Sequence, residues 1–422
     1  MNILFLAHRI PYPPNKGDKL RSFHMLEHLA SRHSVWCAAF VDDDRDWRHL
    51  DRLQARCEKV HLVPLKRRRS LCRGAIRLLG GGTITEGCYY RSNGDMARCL
   101  SQWSQQVRFD AVLAFSSSMA RYGLAVDAPR RVLDLCDLDS AKWMEYAAHA
   151  FGPIKSLYRL ESHRLGVCEA EWIRAYDAAT LITEHEVDSL PYAELRDRIT
   201  IVGNGVHVSP DVKNTRDHAS PIVGFIGAMD YRPNVDAVQW FADRIWPQIR
   251  AAVPQARFRI VGRNPNRQVR RLDRRPGIDV VGEVADVGPE CRAFSVSVAP
   301  LRIARGLQNK VLEAMAVGTA VVLTSKAAAG VSVVDGVHCR MADDAESFAA
   351  RTIELLTDRA MADRLGRHAR KFVTRNHCWS TEMTRLEQLL TGQSVSSGDT
   401  AQECESSITT TGVDAQATAG AP

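Results

Sequence analysis

The sequence lacks several features that would place it in a common class of protein. It has no stretch of about 18 or more uninterrupted apolar residues, so no membrane-spanning helix is predicted. Its eleven cysteines are scattered, without a C-x-x-C pair, which argues against a metal cage and is typical of a reduced cytosol. Residues 1–9 are too short and have the wrong flanks for a secretory signal. We therefore expect a cytoplasmic globular protein without a bound metal.

Two nucleotide-binding signatures are also missing. No G-x-G-x-x-G follows the predicted first strand, and the lone Gly262 does not replace it, so a nicotinamide or flavin enzyme is disfavoured. No aromatic or helix-turn-helix signature accompanies the basic residues, so nucleic acid is not an expected partner. Because residues 391–422 contain four acidic and no basic residues, the formal net charge of +7 rises to about +11 for the remainder. This excess favours an anionic partner, such as a nucleotide phosphate or a membrane surface.

Apolar runs typical of buried strands alternate with helical patterns, which predicts parallel, doubly wound α/β sheets. The clearest predicted strands are residues 2–7, 35–41, 60–65, 109–115, 131–136, 178–183, 222–226, 257–261 and 278–281. At 422 residues the chain is long enough for two domains. We expect an N-terminal domain (1–206), a polar linker (207–220), a C-terminal domain (221–375), a C-terminal helix (376–390) and a disordered tail (391–422).

One segment carries most of the predicted chemistry. Residues 295–300 indicate a buried strand, residues 307–317 a helix that Gly318 ends, and residues 319–323 the next parallel strand. The loop before this helix therefore opens at the carboxyl edge of a sheet, where ligands bind in doubly wound folds.

Glu313 is the only charge in the apolar core of that helix, and a carboxylate there requires a partner. Either Lys310, three residues earlier on the same face, forms a salt bridge with it, or the vicinal hydroxyls of a ribose bind it. Gly306 permits close approach, and Arg302, Arg305 and Lys310 lie near the helix N-terminus. These neighbours favour a ligand that carries phosphate.

Two places in the first half are further candidates. Gly17 lies in a proline-rich loop, where a tight turn without a ligand and a close approach to a ligand are both open. Asp137 follows an apolar strand, and a carboxylate at that position can act as a base or bind hydroxyls. Asp139 is better explained as the cap of the next helix.

Residues 66–79 contain six basic residues and no acidic residue. Written as a helix, the segment places Leu71, Ala75, Leu78 and Leu79 toward one side and the cations around the rest. This pattern suits an anionic membrane surface, which would make the protein peripheral at the inner face of the plasma membrane. A basic face in contact with solvent is the alternative.

Several of these features together resemble the GT-B glycosyltransferases of family 4, from residue 1 to about residue 390. They are the loop with Gly17, the Asn-Gly pair at 204–205, the helix at 309–316 and Gly318. A subgroup tied to bacterial exopolysaccharide and PEP-CTERM/exosortase systems is similar in four segments. These are residues 9–14, 137–143, 228–237 and 308–310.

The resemblance implies two Rossmann-like domains that face each other across a cleft, with the acceptor on the first and a nucleotide-sugar donor on the second. It implies transfer with retention of anomeric configuration and with no metal or cofactor. The family's glutamate at Glu313 binds the ribose hydroxyls. The implied catalytic residues are Asp137, Lys310 and Glu313. The implied donor-binding residues are Gly17, Asp18, Gly227, Arg232, Arg263, Arg302, Arg305, Gly306, Gln308, Asn309, Lys310 and Glu313.

The sequence departs from the family pattern at three positions. Arg305 stands where the family has a first glutamate, Asn234 stands near an expected lysine, and Cys136 stands where a histidine often precedes the acid. Two alternatives therefore stay open. One is a non-catalytic sugar-nucleotide-binding subunit that partners another transferase, and the other is a sugar-nucleotide epimerase on the same fold.

Overall fold

The computed structural model describes residues 1–14, 17–92, 94–148, 150–206, 208, 219–304 and 306–393. The chain divides into two compact units. Among the described residues, the first is Met1–Gly203 with 382–393, and the second is Asn204–Thr381. The predicted linker and tail lie almost wholly outside the described residues.

The first unit is built on parallel strands separated by helices. Its strands are β1 (Asn2–Ala7), β2 (Ser34–Val41), β3 (Lys59–Pro64), β4 (Ala111–Phe115), β5 (Arg130–Cys136), β6 (Ala178–Leu181) and β7 (Ile199–Ile201). Its helices are α1 (Gly17–Ala30), α2 (Leu50–Gln54), α3 (Arg67–Leu79), α4 (Ile84–Tyr89), α5 (Asp95–Gln106), α6 (Ala120–Leu124), α7 (Asp139–Ala148), α8 (Gly152–Ala175) and α9 (Glu184–Asp188). Short 3-10 helices cover Asp44–His49, Ser117–Met119 and Ala193–Arg198.

The strand order in this sheet is β3-β2-β1-β4-β5-β6-β7, and every pair is parallel. Strands β1 and β4 lie at its centre, and almost all of their residues are buried because helices cover both faces. The order reverses at β1, which leads outward to β2 and β3 on one side and lies beside β4 on the other. Ligands bind at such a switch point in doubly wound folds. The strands predicted in this half are confirmed, with ends within two residues of the prediction.

The second unit repeats the same plan. Its strands are β8 (Ile222–Ile226), β9 (Arg257–Val261), β10 (Ile278–Gly282), β11 (Val296–Ala299), β12 (Ala320–Leu323) and β13 (Arg340–Met341), in the order β10-β9-β8-β11-β12-β13. Its helices are α10 (Arg232–Trp240), α11 (Trp246–Ala252), α12 (Arg267–Leu272), α13 (Gly288–Ala293), α14 (Asn309–Ala316), α15 (Ser325–Ala328), α16 (Ala345–Thr357) and α17 (Arg359–Asn376). The last helix, α18 (Trp379–Thr391), lies mostly in the first unit.

A π-helical turn, Phe241–Ile245, separates α10 from α11. The helical pattern of residues 235–252 predicts one continuous helix, and this prediction is wrong in that detail. Pro247 is in the first turn of α11 and has no N–H to donate, so the regular hydrogen-bond pattern cannot continue through this point. In the part of the chain that the structure describes, no helix combines the length and apolarity that crossing a bilayer requires.

A buried ion pair anchors the core of the first unit. The guanidinium of Arg21 donates to Asp134, at 3.1 Å from Nε to Oδ1, and to the carbonyls of Val202 and Gly203, each at 2.8 Å. Asp134 also accepts a hydrogen bond of 2.8 Å from Thr180 Oγ1. Both charged side chains are fully buried, so each charge depends on these partners.

We expect Asp134→Asn to lower the free energy of unfolding by about 3–5 kcal/mol, because it leaves the buried Arg21 without a counter-charge. Urea unfolding of the full chain, followed by tryptophan fluorescence, measures this loss. Glu194→Gln is the control, because Glu194 forms an exposed pair with Arg174 in the same unit. This change should cost less than about 1 kcal/mol. Equal costs for the two variants would contradict a stabilising role for the buried pair.

Candidate functional site

Helix α14 begins at the carboxyl edge of the second sheet, as the sequence predicted. The loop from β11 leads into it, and its first turn has no capping hydrogen bond from the side chain of its N-cap residue, Gln308. The first N–H groups of an α-helix have no partner within the helix and carry partial positive charge. The start of α14 is therefore suited to hold an anion.

The ammonium group of Lys310 lies beside two neutral groups. Its Nζ donates a 2.5 Å hydrogen bond to Asn234 Oδ1 and lies 4.8 Å from the centre of the Phe225 ring. Asn234 is itself fixed, because its Nδ2 donates to the carbonyl of Ala228 at 3.0 Å. Neither neighbour supplies a negative charge. Burial lowers the pKa of Lys310 to about 7, an effect that the nearby Glu313 opposes in part.

Glu313 has no hydrogen-bond or ion-pair partner among the described residues. Burial raises its pKa to about 7, and Lys310 opposes this effect while Asp286 adds to it. The simple helix salt bridge considered from the sequence is therefore not formed. Half-buried acid and base side chains that lie close together without a direct bond are a common mark of a ligand site.

Glycines at the ends of adjacent strands hold Asn234 in place. A Cβ atom on Gly227 would lie 2.6 Å from Asn234 Nδ2, and one on Gly262 would lie 1.7 Å from the carbonyl oxygen of Gly227. Gly262 also has a φ of 153°, which only glycine adopts readily. Because no side chain fits at these positions, the backbone approaches Asn234 closely and fixes the partner of Lys310.

The predicted arginines have different surroundings. Arg302 donates to Asp236 through Nε and Nη2, at 3.0 and 2.5 Å, and its guanidinium lies 5.5 Å from the Trp240 ring centre. Arg232 is exposed at the start of α10, and Arg263 is half-buried after β9. Arg305 lies outside the described residues. Arg302 is thus engaged in an ion pair, whereas Arg232 and Arg263 follow the neighbouring strands at the carboxyl edge.

Three other predicted residues lie in or next to the loop before α14. Gly306 is buried with a φ of 63°, which explains why this position is a glycine. Gln308 Nε2 donates to the carbonyl of Gly306 at 3.4 Å. Asn309 Oδ1 accepts a hydrogen bond of 3.2 Å from Asn204 Nδ2, so the predicted Asn-Gly pair lies next to this helix.

A second polar cluster lies at the carboxyl edge of the first sheet. Lys142 Nζ lies 3.2 Å from Asp137 Oδ2 and 3.2 Å from Asp139 Oδ1. Burial would raise the pKa of Asp139, but Lys142 and a hydrogen bond from Ser117 hold it below its usual value. The interpretation of Asp139 as a helix cap is wrong, because its carboxylate binds these two side chains. The carboxylate of Glu169 on α8 accepts from the Ser140 N–H in the first turn of α7 instead.

Three buried polar atoms that directly follow the central strands lack a hydrogen-bond partner among the residues that the structure describes. They are His8 Nδ1, Ser116 Oγ and Asp137 Oδ1, which follow the adjacent strands β1, β4 and β5. Buried polar atoms are nearly always paired in native structures, so three orphans at one edge indicate a place where a polar ligand or water binds. The sequence predicted Asp137 but missed His8 and Ser116, whose only signal was their position just after a strand. Within the described residues, no group of three or more His, Cys, Asp or Glu side chains is arranged to hold a metal ion.

The loop before α1 differs in part from the expectation. Gly17 is the first residue of α1 and is exposed, so it lies in a helix and not in the loop itself. Asp18 accepts hydrogen bonds from Arg9 Nη1 at 2.7 Å and from His8 Nε2 at 3.3 Å. Burial would raise the pKa of Asp18, but His8 and Arg9 together hold it well below its usual range. Asp18 therefore fixes the ring of His8.

Solved structures define the class of fold. HepE from Anabaena, in complex with UDP, matches with a TM-score of 0.62 and 13% identity, over 93% of this chain and 100% of that one. Sucrose-phosphate synthase from Thermosynechococcus elongatus matches with a TM-score of 0.64 and 16% identity, over 93% and 98%. WaaG, a glycosyltransferase involved in lipopolysaccharide biosynthesis, matches with a TM-score of 0.62 and 15% identity, over 92% and 100%. The chain has the GT-B fold of two Rossmann-like α/β domains, as predicted.

The second unit gives a closer assignment. Residues 220–358 match the family described as Glycosyl transferases group 1, and this range includes Asn234, Lys310 and Glu313. A comparison with curated proteins finds no significant match. The second unit therefore carries a domain similar to the group 1 glycosyltransferases, and the features at the start of α14 lie inside it.

The low pKa of Lys310 makes stability depend on pH. Its pKa of about 7 in the folded chain lies below the ordinary value of 10.5. Between these values the unfolded chain binds more protons at this position, so stability should rise with pH across the window. The raised pKa of Glu313 acts in the opposite direction between pH 4.5 and about 7, below this window. Glu169 and buried cysteines also titrate above pH 7, so the contribution of the lysine is the difference in slope between the unchanged chain and a variant without it. We expect Lys310→Met to remove the lysine's contribution to the rise.

Urea unfolding at several pH values between 7 and 10.5 measures this effect. Lys326→Met is the matched control, because Lys326 is exposed and, within the described part of the chain, donates only to the carbonyl of Arg302. The control should keep the rise of the unchanged protein. A Lys310→Met variant with the same slope as the control would show that the lysine is not desolvated.

Proposed function

We propose that this chain is a retaining glycosyltransferase of family 4 that moves a sugar from a nucleotide-sugar donor to a glycan or lipid-linked acceptor. The process we propose is bacterial exopolysaccharide or cell-surface glycan synthesis. The observation that carries the proposal is the carboxylate of Glu313, which has no partner among the described residues, beside the desolvated Lys310 in the helix that begins at the sheet edge. The group 1 match over the same residues supports it, and so does HepE, which was solved with UDP and with UDP-glucose.

Both the ribose and the diphosphate of a nucleotide have a group in this site that can bind them. Two vicinal ribose hydroxyls can donate to the carboxylate of Glu313, which has no other donor among the described residues. The diphosphate can accept from Lys310 Nζ and from N–H groups in the first turn of α14, with Arg263 after β9 and Arg232 at the start of α10 at the same sheet edge. The negative charge of the diphosphate would stabilise the ammonium form of Lys310, which burial otherwise disfavours.

The same groups can lower the barrier to transfer. Negative charge grows on the diphosphate as its bond to the sugar breaks, and fixed positive groups stabilise that charge most in the transition state. Lys310 and the helix N-terminus would do here what a divalent cation does in other folds, so the proposed reaction needs no metal. In a retaining mechanism of this kind, the departing phosphate can accept the proton of the acceptor hydroxyl.

The proposed acceptor site is the polar edge of the first unit. Asp137 Oδ1 can only accept and Ser116 Oγ can donate and accept, whereas His8 Nδ1 accepts when the ring is neutral, because Nε2 then donates to Asp18. Sugar hydroxyls match such a mixed set of partners. Asp137 would orient the attacking hydroxyl, while its other carboxylate oxygen, Oδ2, pairs with Lys142 at 3.2 Å.

A peripheral position at the inner face of the plasma membrane is part of the proposal. The sequence assigned this contact to residues 66–79, which form the helix α3. Arg68 and Arg69 are exposed at its amino-terminal end. The predicted apolar side is corrected in one respect, because Leu78 is buried against the unit while Leu71 and Leu79 are exposed. Exposed cations beside exposed leucines suit an anionic lipid surface.

We expect Glu313→Gln to weaken binding of free nucleotide and of donor alike by about 1.5–3 kcal/mol, the usual size of a hydrogen bond to a charged group. Isothermal titration with UDP and with GDP, using the tighter ligand and its glucose conjugate, measures the change. Glu290→Gln is the control, because Glu290 lies in the same unit and pairs with Arg259. If both variants bind like the unchanged protein, Glu313 does not contact the ribose and the donor site is wrong.

We expect Lys310→Ala to reduce turnover of the donor by a larger factor than it reduces ground-state binding, because charge on the diphosphate peaks in the transition state. Donor hydrolysis or transfer gives the first quantity, and titration gives the second. Affinity of the unchanged protein should also fall as the pH rises above about 7, since the amine then loses its proton. EDTA should change neither quantity. A loss of activity with EDTA that Mg²⁺ restores would contradict the metal-independent mechanism.

A further inference from the structure

The end of the α7–α8 hairpin exposes an unusual number of large apolar side chains. They are Met144, Tyr146, Phe151, Ile154, Leu157 and Leu160, here called the apolar ridge, and their exposed fractions range from 40% to 89%. None of the residues 151–160 is buried, so the first two and a half turns of α8 project from the unit. Scattered exposed apolar residues are ordinary. A set this dense on one helical hairpin indicates a surface that a lipid bilayer or another molecule covers.

Internal contacts keep the ridge rigid. The Trp143 ring on α7 lies 5.3 Å from the Tyr158 ring on α8, and Tyr146 lies 6.3 Å from the same ring. Further along α8, Glu161 and Leu165 are buried in the unit. The hairpin is therefore a preformed helical projection whose base is fixed, and exposing its apolar side chains requires no rearrangement.

The base of the hairpin lies next to the end of α3. Arg164 Nη1 donates to the carbonyl of Leu78 at 2.5 Å and to that of Gly82 at 3.2 Å. Glu161 accepts from the N–H groups of Ile84 and Thr85 at the start of α4, at 2.6 and 3.0 Å. These bonds hold α8 against the end of α3. The exposed Ile76 and Leu79 of α3 are therefore close to the ridge. The two segments are thus neighbours on the first unit, although about 70 residues separate them in the chain.

The charges on both segments are mainly positive. Residues 66–82 contain six basic residues and no acidic residue. Residues 151–168 contain Lys155, Arg159 and Arg164, and their one acid, Glu161, is buried in its hydrogen bonds to α4. On the α7 side of the ridge, Glu145 is half-buried between Met144 and Tyr146. Apolar side chains flanked mainly by cations match an anionic bilayer, in which the cations reach phosphate groups while the apolar side chains enter the hydrocarbon boundary. A second copy of this chain would meet these cations with like charge.

We propose that the apolar ridge inserts into the surface of an anionic lipid bilayer beside α3, so that the first unit binds the membrane through two segments. This inference extends the contact proposed for α3 and requires none of the donor chemistry. It assigns different tasks to the two elements. The cations of α3 attract the protein to the surface, and the ridge supplies the part of binding that salt does not weaken.

Co-sedimentation of the full chain with vesicles tests this division. The chain should bind vesicles of phosphatidylglycerol and phosphatidylcholine at least tenfold more tightly than vesicles of phosphatidylcholine alone. Phe151→Ser with Ile154→Ser should weaken binding to the anionic vesicles at least tenfold at both low and high salt. Arg68→Glu with Arg69→Glu should weaken it about 25-fold at low salt, which is about fivefold for each cation lost. High salt should abolish most of that difference.

Val334→Ser with Val337→Ser is the matched control, because these two valines are exposed by 53% and 43% in the second unit. This variant should bind like the unchanged chain. If the Phe151→Ser/Ile154→Ser variant binds vesicles like the unchanged chain, the ridge does not insert into the bilayer. The contact proposed for α3 would not be affected by that result. A dimer that light scattering detects and that the same variant dissolves would assign the ridge to a second copy, and would also overturn the proposal. Titration with UDP is unaffected by either result, so failure here is separate from failure of the donor site.

Discussion

The chemistry of the second unit depends on one constraint, which is that α14 holds a lysine and a glutamate where burial disfavours both charges. Lys310 is held by an amide and an aromatic ring, and Glu313 has no hydrogen-bond partner among the described residues. Such an arrangement lowers the stability of the protein without ligand. It persists because the surrounding packing fixes the positions of both side chains. That packing is specific, since Asn234 is fixed by backbone that glycine alone permits to come so close.

The carboxyl edges of the two sheets differ in whether their charged side chains are paired. In the first unit Lys142 lies within 3.2 Å of two carboxylates, so its charge is already balanced, and the unpaired atoms that remain are on His8, Ser116 and Asp137. In the second unit Lys310 forms no ion pair with any described residue, and Glu313 offsets its charge only in part. An edge with its charges paired favours hydrogen bonding to neutral groups, whereas an edge with an unbalanced cation at a helix N-terminus favours an anion.

The fold was predictable from local pattern. Parallel strands buried on both faces give short continuous apolar runs, and Gly318, with a φ of 74°, marked the end of α14. Glu313 was predictable because one charge in an apolar helix needs a partner. The contacts that define the site were not, because Lys310 and Asn234 are 76 positions apart and no local rule joins them. The pairing of Arg302 with Asp236 was not predictable either, because these residues are 66 positions apart.

Surface roles were the least predictable from the chain alone. A helical pattern suggested that Leu78 shares one side of α3 with Leu71 and Leu79, but tertiary packing buries Leu78 and leaves the other two exposed. The exposed residues of α8 gave no signal at all, because an apolar helix that projects and one that is buried have similar sequences. Only the accessibility of each side chain distinguishes them.

The return of α18 to the first unit makes the second unit an insertion within it. The chain leaves the first unit at Gly203 and rejoins it at Glu382, where Glu382 Oε2 accepts from the Gly203 N–H at 2.6 Å. Further along α18, Leu389 accepts from Arg130 and Glu387 binds His28. A fragment cut anywhere in the linker would therefore lack part of its own fold. Exchange of the whole cassette from Asn204 to Thr381 would instead keep the first unit intact, which gives the natural boundaries for building chimeras of this chain.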